Sequence, residues 1–301
     1  MLPSLLTTLF FSLSIIFAAR SAKVLGASTA NLARITVATV LLGLWGHTFG
    51  QGLNGAGLPW FFLSGVVGFG LGDMALFGAL PRIGPRLAIL LTQCLAAPLA
   101  AAIEWTWLGT TLRTVDVICA AVILLGVAIA LAPDRSLAVP RGVFWAGVLF
   151  GIGSALGQAS GAVLSRKADE VGTLAGLAVD GGTAAYQRAL GGIVITAIAY
   201  LLTQKLRPTE KALEPERWRR GWRLVAGNAL LGPTIGVSCY QWALLTTPSG
   251  LVLPIVATSP LATMLFVWAL ESERPTRRAI FGGVIAVAGA AALKVAQLSG
   301  T

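Results

Sequence analysis

Charged residues are scarce in this sequence: they make up 11% of the 301 residues, whereas apolar residues make up 56%. A soluble domain usually contains about a quarter charged residues. Twelve acids and 22 bases are therefore too few to cover the surface of a soluble protein of this length. The mean hydropathy of +0.81 agrees with this conclusion. The composition excludes a soluble protein and predicts an integral membrane protein whose surface largely faces lipid.

Residues that bind metals or act as nucleophiles are also scarce. The single histidine is His47, and the three cysteines, Cys94, Cys119 and Cys239, lie in separate apolar runs. A zinc site, a histidine-based triad or a disulfide framework needs more partners than these. The sequence also lacks the glycine-rich loop with lysine that binds nucleotide phosphates. We therefore expect no metal, no cofactor and no enzymatic activity.

Long apolar runs, by contrast, are abundant. A transmembrane helix needs about 20 mostly apolar residues, and breaks at glycine, proline or charge separate ten such runs. Helices are favoured over a barrel, because these runs are about twice as long as a membrane strand. The predicted spans are 3–20, 27–47, 58–78, 85–107, 114–132, 142–164, 181–203, 222–244, 249–270 and 279–298.

The ten spans divide into two halves that resemble each other. A shift of 162 residues aligns 86–131 with 248–293, and Pro98-Leu99-Ala100 then matches Pro260-Leu261-Ala262. Five spans in each repeat would place the second repeat upside down in the membrane. Inverted repeats are typical of secondary transporters, with a site near the bilayer midplane. We predict an all-α membrane protein with repeats at 1–132 and 142–301 and a linker at 133–141.

A resemblance to a known family rests on Arg34 with Arg188, Ala79 with Ala243, Pro98 with Pro260, and the stretches 270–276 and 282–285. With them, the chain resembles a ten-helix carrier of the drug/metabolite transporter superfamily with two EamA-type repeats, and the resemblance implies transport of small metabolites or drugs. Glu273 matches the acid of the family's repeat ending, whereas the first repeat departs from the pattern with Thr111.

Four ionisable residues fall inside predicted spans, where their cost makes each a functional hypothesis. Arg34 and Asp73 lie at similar depth in antiparallel spans, so an ion pair is expected; it either fixes packing or acts as a gate. Glu104, near the end of span 4, either reaches the headgroups or couples transport to protons, because an apolar site favours the protonated acid.

The fourth is Arg188, which occupies in the second repeat the place that Arg34 has in the first. Its alignment gives no acid partner, because Val237 stands where the first repeat has Asp73. The alternatives are a bond to helix-end carbonyls, a position at the interface, a pair with Asp180, or an anionic group on a substrate. A guanidinium suits carboxylate or phosphate.

Neutral polar residues in spans 4, 6, 8 and 9 complete the candidate cavity. Each could equally serve as a hydrogen bond between helices. Prolines in span 9, Pro254 and Pro260, are expected to free backbone carbonyls that line the cavity. With Arg188, the candidate substrate-binding residues are Gln93, Gln158, Tyr240, Gln241 and Thr258.

The net charge of +10 bears on orientation rather than on nucleic-acid binding. Loops on one side of the predicted spans hold sixteen of the 22 basic residues and loops on the other side hold four. The positive-inside rule places the sixteen in the cytoplasm and both termini outside. Many members of the resembled superfamily have cytoplasmic termini, so the two indications conflict and the orientation stays open.

We therefore predict a secondary transporter that exports a small organic metabolite or drug by alternating access, with possible proton coupling. A flippase for a lipid or lipid-linked sugar is the alternative, and a membrane-embedded enzyme is a weaker one. The expected location is a bacterial cytoplasmic membrane. The expected partners are a small solute and membrane lipids, without nucleic acid, in a monomer or homodimer.

Overall fold

The computed structural model of the protein describes residues 1–132, 140–206, 215–271 and 276–298. These ranges are helical and contain no strand, which confirms the all-α fold class. Most of the predicted linker and Glu273 lie outside the described residues. The helices are α1 Leu2–Leu25, α2 Ala27–Thr48, α3 Leu58–Gly65, α4 Asp73–Leu108, α5 Thr114–Leu131, α6 Arg141–Leu174, α7 Gly181–Leu206, α8 Pro215–Ala229, α9 Val237–Thr246, α10 Ser249–Val256, α11 Ser259–Glu271 and α12 Arg277–Leu298.

Within the described ranges, nine helical segments are long and apolar enough to cross a membrane. The predicted span at 222–244 is also helical, in a continuous run of α8, a π-helical segment and α9. Asn228, Tyr240 and Gln241 make this run less apolar than the others. A helical chain satisfies its own backbone hydrogen bonds, which lipid requires.

Two π-helical segments stand at corresponding places in the two repeats. Val66–Gly72 joins α3 to α4, and Leu230–Gly236 joins α8 to α9. Pro233 helps to explain the second segment, because proline has no N–H for the regular helical bond. Segments of this kind are frequent at functional sites.

Helix α4 joins the end of the predicted span 58–78 to the predicted span 85–107 without an interruption. Its 36 residues would extend over about 54 Å if straight, which exceeds the roughly 30 Å of a bilayer core. Two separate parts of the chain, Leu58–Ile83 and Leu87–Leu108, therefore qualify as spans. The predicted break at Pro81 to Pro85 is helical in the structure.

Helix α6 is longer than its predicted span of 142–164 and ends at Leu174. The added turns contain Arg166, Lys167 and Glu170, and such charges end an apolar run without ending a helix. Through this extension, α6 delivers Arg166 to other helices instead of to a loop.

The ninth span is broken at Ala257 and Thr258, between α10 and α11. Pro260 has no N–H, so the Val256 carbonyl loses its regular partner and accepts a bond of 2.6 Å from Ser259 Oγ. Hydroxyls on α1 bind other carbonyls here: Thr8 donates to Ile255 O at 3.1 Å and Ser12 to Ser259 O at 2.9 Å. The sequence predicts that carbonyls freed in this span line a cavity. In the structure, these carbonyls accept hydrogen bonds from neighbouring hydroxyls instead.

The largest buried cluster lies where the two repeats meet. It joins alanines of α4 and α6 to Tyr240 and Leu244 of α9 and to Val252, Leu253 and Val256 of α10. At a second contact, between α6 and the first π-helical segment, a Cβ on Gly157 would lie 2.5 Å from Gly72 Cα. Small residues allow membrane helices to approach this closely.

Candidate functional site

Arg188 lies where α3 and α7 touch through their backbones. A Cβ atom on Gly65 would overlap the Arg188 carbonyl oxygen, and one on Gly191 would overlap the Phe62 carbonyl oxygen. The absence of side chains at these two glycines allows the approach. Arg188 is only 2% exposed. Its guanidinium is thus held inside the helix bundle.

Two aromatic rings flank the Arg188 guanidinium. Its central carbon lies 4.8 Å from the centroid of Phe69 and 5.5 Å from that of Tyr240. Phe69 belongs to the first π-helical segment and Tyr240 to α9, so the two repeats each supply one ring. Rings at this distance attract a cation through their negative faces.

Glycines give the guanidinium its room. A Cβ on Gly68 would lie 2.6 Å from Arg188 Nη2, and one on Gly161 of α6 would lie 3.3 Å from the same atom. An alanine at Gly68 would therefore displace the guanidinium. The space around Arg188 depends on these two missing side chains.

The polar atoms at this site are incompletely satisfied. Arg188 Nε and Nη1 are buried and have no hydrogen-bond partner within the described protein, and the same holds for the Tyr240 hydroxyl. That hydroxyl interacts electrostatically with the guanidinium but lies beyond ordinary hydrogen-bond geometry. Gln241, the next residue on α9, is fully buried with both amide atoms unpartnered. Buried donors without partners are costly and call for an explanation.

Asp73 connects Arg188 to the arginine of the first repeat. Its Oδ2 lies 3.4 Å from Arg34 Nη2, and Arg34 Nε also donates to Asn31 Oδ1 at 2.7 Å. Both partners of this ion pair are about one-fifth exposed. Asp73 also interacts electrostatically with Arg188. Both arginines therefore interact with one carboxylate, and a gating role for Arg34 and Asp73 stays a prediction.

Asp180 serves the start of α7. Its carboxylate accepts bonds from the backbone N–H groups of Gly182 at 2.7 Å and Thr183 at 3.1 Å and from the Thr183 hydroxyl at 2.5 Å. The loop before α3 docks here, because Gln51 N donates to Thr183 Oγ1 at 3.1 Å. Asp180 is thus a helix cap.

Glu104 lies in a second polar cluster, near the end of α4. Its Oε1 accepts a bond of 2.7 Å from Arg166 Nε of α6, and its Oε2 accepts bonds from the Ser249 backbone N–H, at 2.8 Å, and hydroxyl. Arg166 Nη1 donates to the Leu244 carbonyl of α9 at 2.7 Å. Four helices are joined here, and the predicted role of Glu104 in proton coupling stays a prediction.

The other sequence candidates are spread through the bundle. The Thr258 hydroxyl donates to Ile255 O at 2.6 Å, within the turn that separates α10 from α11. Gln93 and Gln158 are half-buried on α4 and α6. Of the six substrate-binding candidates, the structure brings Arg188 and Tyr240 together.

The sequence alone did not indicate the other residues around Arg188 or around Glu104. Phe69 and Gly68 lie in a Gly-Phe-Gly-Leu-Gly run, and such a run by itself does not indicate a ring beside a cation. Arg166 follows the end of the predicted span 142–164, so the apolar run places it outside the membrane helices. Within the described residues, no group of three His, Cys, Asp or Glu side chains could hold a metal ion.

Comparison with known proteins identifies the family. The model of the EamA-like transporter family matches residues 1–132 and 145–294. The chain belongs to this family. The resemblance seen in the sequence is thereby confirmed, and this EamA-like protein is a membrane transporter of the drug/metabolite superfamily.

Solved structures agree on the fold of this EamA-like protein. One crystal structure, of a chain with 18% identity, matches with a TM-score of 0.77 and covers 98% of this chain and 96% of its own. At this identity the likeness concerns the fold alone. A search among curated proteins gave no match.

Proposed function

We propose that this EamA-like protein carries a small organic solute across a bacterial cytoplasmic membrane by alternating access, and that the solute binds beside Arg188. The observation that carries the proposal is the buried guanidinium with unpartnered donors between Phe69 and Tyr240. A buried polar group without a protein partner is what a ligand site requires. Transporter sites of this kind lie between repeats near the middle of the membrane.

The π-helical segments support movement around this site. They end at Gly72 and Gly236, one in each repeat. The first segment carries Phe69 and packs on α6 through the contact of Gly72 with Gly157. A change at that contact would move Phe69 relative to Arg188, and small residues permit such sliding.

Export is the direction we propose, and the resemblance to drug and metabolite carriers supports it. Proton coupling through Glu104 has less support, because Arg166 and Ser249 already bind both of its oxygens. These contacts favour a role for Glu104 in packing.

Solute exchange in proteoliposomes tests the carrier function. Purified protein would first be screened by thermal shift against amino acids, sugars, nucleosides and phosphorylated metabolites. Vesicles loaded with a stabilising solute should then accumulate the labelled solute from outside, and internal solute should accelerate its entry, because a carrier returns faster when loaded. Entry that does not depend on internal solute would contradict alternating access.

A matched pair of glycine variants tests the place of binding. Gly68→Ala puts a Cβ 2.6 Å from Arg188 Nη2, whereas Gly153→Ala on α6 meets only Ala75 Cβ, at 3.6 Å. Loss of one hydrogen bond to a charged group corresponds to about tenfold in affinity. We expect exchange to fall about tenfold in Gly68→Ala and to change less than about twofold in Gly153→Ala. Equal exchange by two well-folded variants would place the solute elsewhere.

A further inference from the structure

We propose that the solute bound at Arg188 carries an oxyanion, a carboxylate or a phosphate ester, that binds to the unpartnered donors of this guanidinium. The inference rests on the proposed carrier function and concerns the chemical class of its substrate. It follows from the charge, the open donors and the rings at the site.

The charge at the site is unbalanced. Arg34, Asp73 and Arg188 together carry one net positive charge, since two guanidinium groups interact with one carboxylate. Arg34 forms the ion pair with Asp73, at 3.4 Å, and a further bond with Asn31. Arg188 is the more deeply buried of the two arginines. A buried charge without a close counter-ion is costly, and a bound monoanion would neutralise this one.

The open donors match an oxyanion rather than a cation or an apolar group. Arginine has five N–H donors and no acceptor. Nε of Arg188 carries one of these N–H groups and Nη1 carries two. Neither atom has a partner within the described residues. The Tyr240 hydroxyl, also unpartnered, can donate to the same ligand. Charge-assisted bonds to carboxylate or phosphate are the strongest that such donors make.

The rings determine what the donors can reach. Phe69 and Tyr240 flank the guanidinium at 4.8 and 5.5 Å, and rings form no ordinary hydrogen bond with Nε or Nη1, which have no partner within the described residues. Phe11 of α1 lies 6.3 Å from the Tyr240 ring. This surrounding apolar surface suits a small organic anion better than a strongly hydrated inorganic one.

Binding of matched anionic and neutral compounds tests the proposal. The full chain would be placed in phosphatidylcholine nanodiscs, which contain no anionic lipid, and titrated with benzoate, benzamide, phenyl phosphate and phenol. We expect benzoate or phenyl phosphate to raise the unfolding temperature and to bind at least about tenfold more tightly than its neutral counterpart. Equal binding of all four compounds, or binding of the neutral ones only, would overturn the proposal.

Two variants localise the anion. Arg188→Gln removes the cation and should abolish the difference between benzoate and benzamide. Arg220→Gln makes the same change on α8, where the side chain is 73% exposed, and should leave the difference intact. A difference retained by a folded Arg188→Gln protein would also overturn the proposal; wild-type titrations remain decisive if that variant does not fold.

Further outcomes of the exchange and binding experiments distinguish the oxyanion proposal from the carrier function and a soluble anion from a lipid ligand. Exchange of neutral solutes only, with no anion preference, would leave the carrier function standing and refute the oxyanion. Anion binding without exchange of any solute would support the oxyanion and refute the carrier function. If added phosphatidylglycerol displaces benzoate from the wild type, the oxyanion belongs to a lipid headgroup; if it does not, the ligand is a soluble anion.

Discussion

Replacing Glu104 by glutamine should strongly destabilise the bundle, although the two side chains have nearly the same shape. One carboxylate oxygen accepts from Arg166 and the other accepts from the backbone N–H and the hydroxyl of Ser249. Glutamine has one acceptor oxygen and an amino group that only donates. Whichever way the amide turns, its NH2 faces N–H donors of Arg166 or of Ser249.

The magnitude follows from the burial of the pair. Glu104 is 2% exposed and Arg166 is 20% exposed. Breaking a buried ion pair by removing one partner costs about 3–5 kcal/mol, and water at Arg166 reduces this. Arg166 also keeps its bond to the Leu244 carbonyl. We therefore expect a loss of about 2–3 kcal/mol in the free energy of unfolding.

The assay is unfolding in mixed micelles, followed by tryptophan fluorescence as dodecyl sulfate is added. The matched control is Glu170→Gln, which removes the carboxylate of a surface pair with Lys167 on α6, where the acid is 45% exposed. Exposed pairs contribute little, so this control should lose less than about 0.5 kcal/mol. Adding Arg166→Gln to Glu104→Gln should cost less than the sum of the two single changes, because both remove the same contact. Similar stability of the Glu104 and Glu170 variants would refute the reasoning.

Two further changes test the packing of α12 and the cap of α7. Gly282→Ala would push a Cβ into the Gly126 carbonyl and should lower the free energy of unfolding by about 1–3 kcal/mol. A Cβ at Gly283 meets nothing within 4 Å, so Gly283→Ala should be neutral or slightly stabilising in the same unfolding assay. Equal effects of the two changes would contradict close packing of α5 on α12. Burial raises the pKa of Asp180, but bonds from Thr183, Gly182 and Trp45 outweigh burial and hold this pKa below its ordinary value of 3.8. The carboxylate therefore stabilises the protein above pH 3.8, and this contribution disappears as the pH falls through the folded-state value. Asp180→Ala should cost about 1 kcal/mol at pH 7, with a smaller gap in unfolding temperature from the wild type at pH 3; an equal gap at both would exclude the charged cap.

Much of the fold could be predicted because lipid leaves the backbone few choices. A long apolar run without charges must form a helix, since nothing in the bilayer core can bind its N–H and C=O groups. The apolar runs therefore correspond closely to helices such as α2, α5 and α7. Charge marks where a span leaves the lipid but not where its helix ends, which is why the extension of α6 to Leu174 was missed.

The contacts of individual polar residues were less predictable, because they depend on which helices meet and how closely. Arg34 and Asp73 lie on neighbouring antiparallel spans, so depth alone suggested their proximity. Arg166 and Glu104 meet only because α6 continues past its apolar run and packs on α4. No local pattern in the sequence marks that encounter.

The sequence by itself determined that this is a helical membrane protein of two related halves, because composition, run length and aligned residues depend on no tertiary contact. It also singled out Arg188 as an arginine without an aligned acid. Only the tertiary structure decided what surrounds that arginine. Phe69 and Tyr240 come from different repeats, and Gly68, beside Phe69, and Gly161 of α6 make the space. A site formed where four segments converge is a property of their packing, and that packing leaves Arg188 Nε and Nη1 without a partner among the described residues.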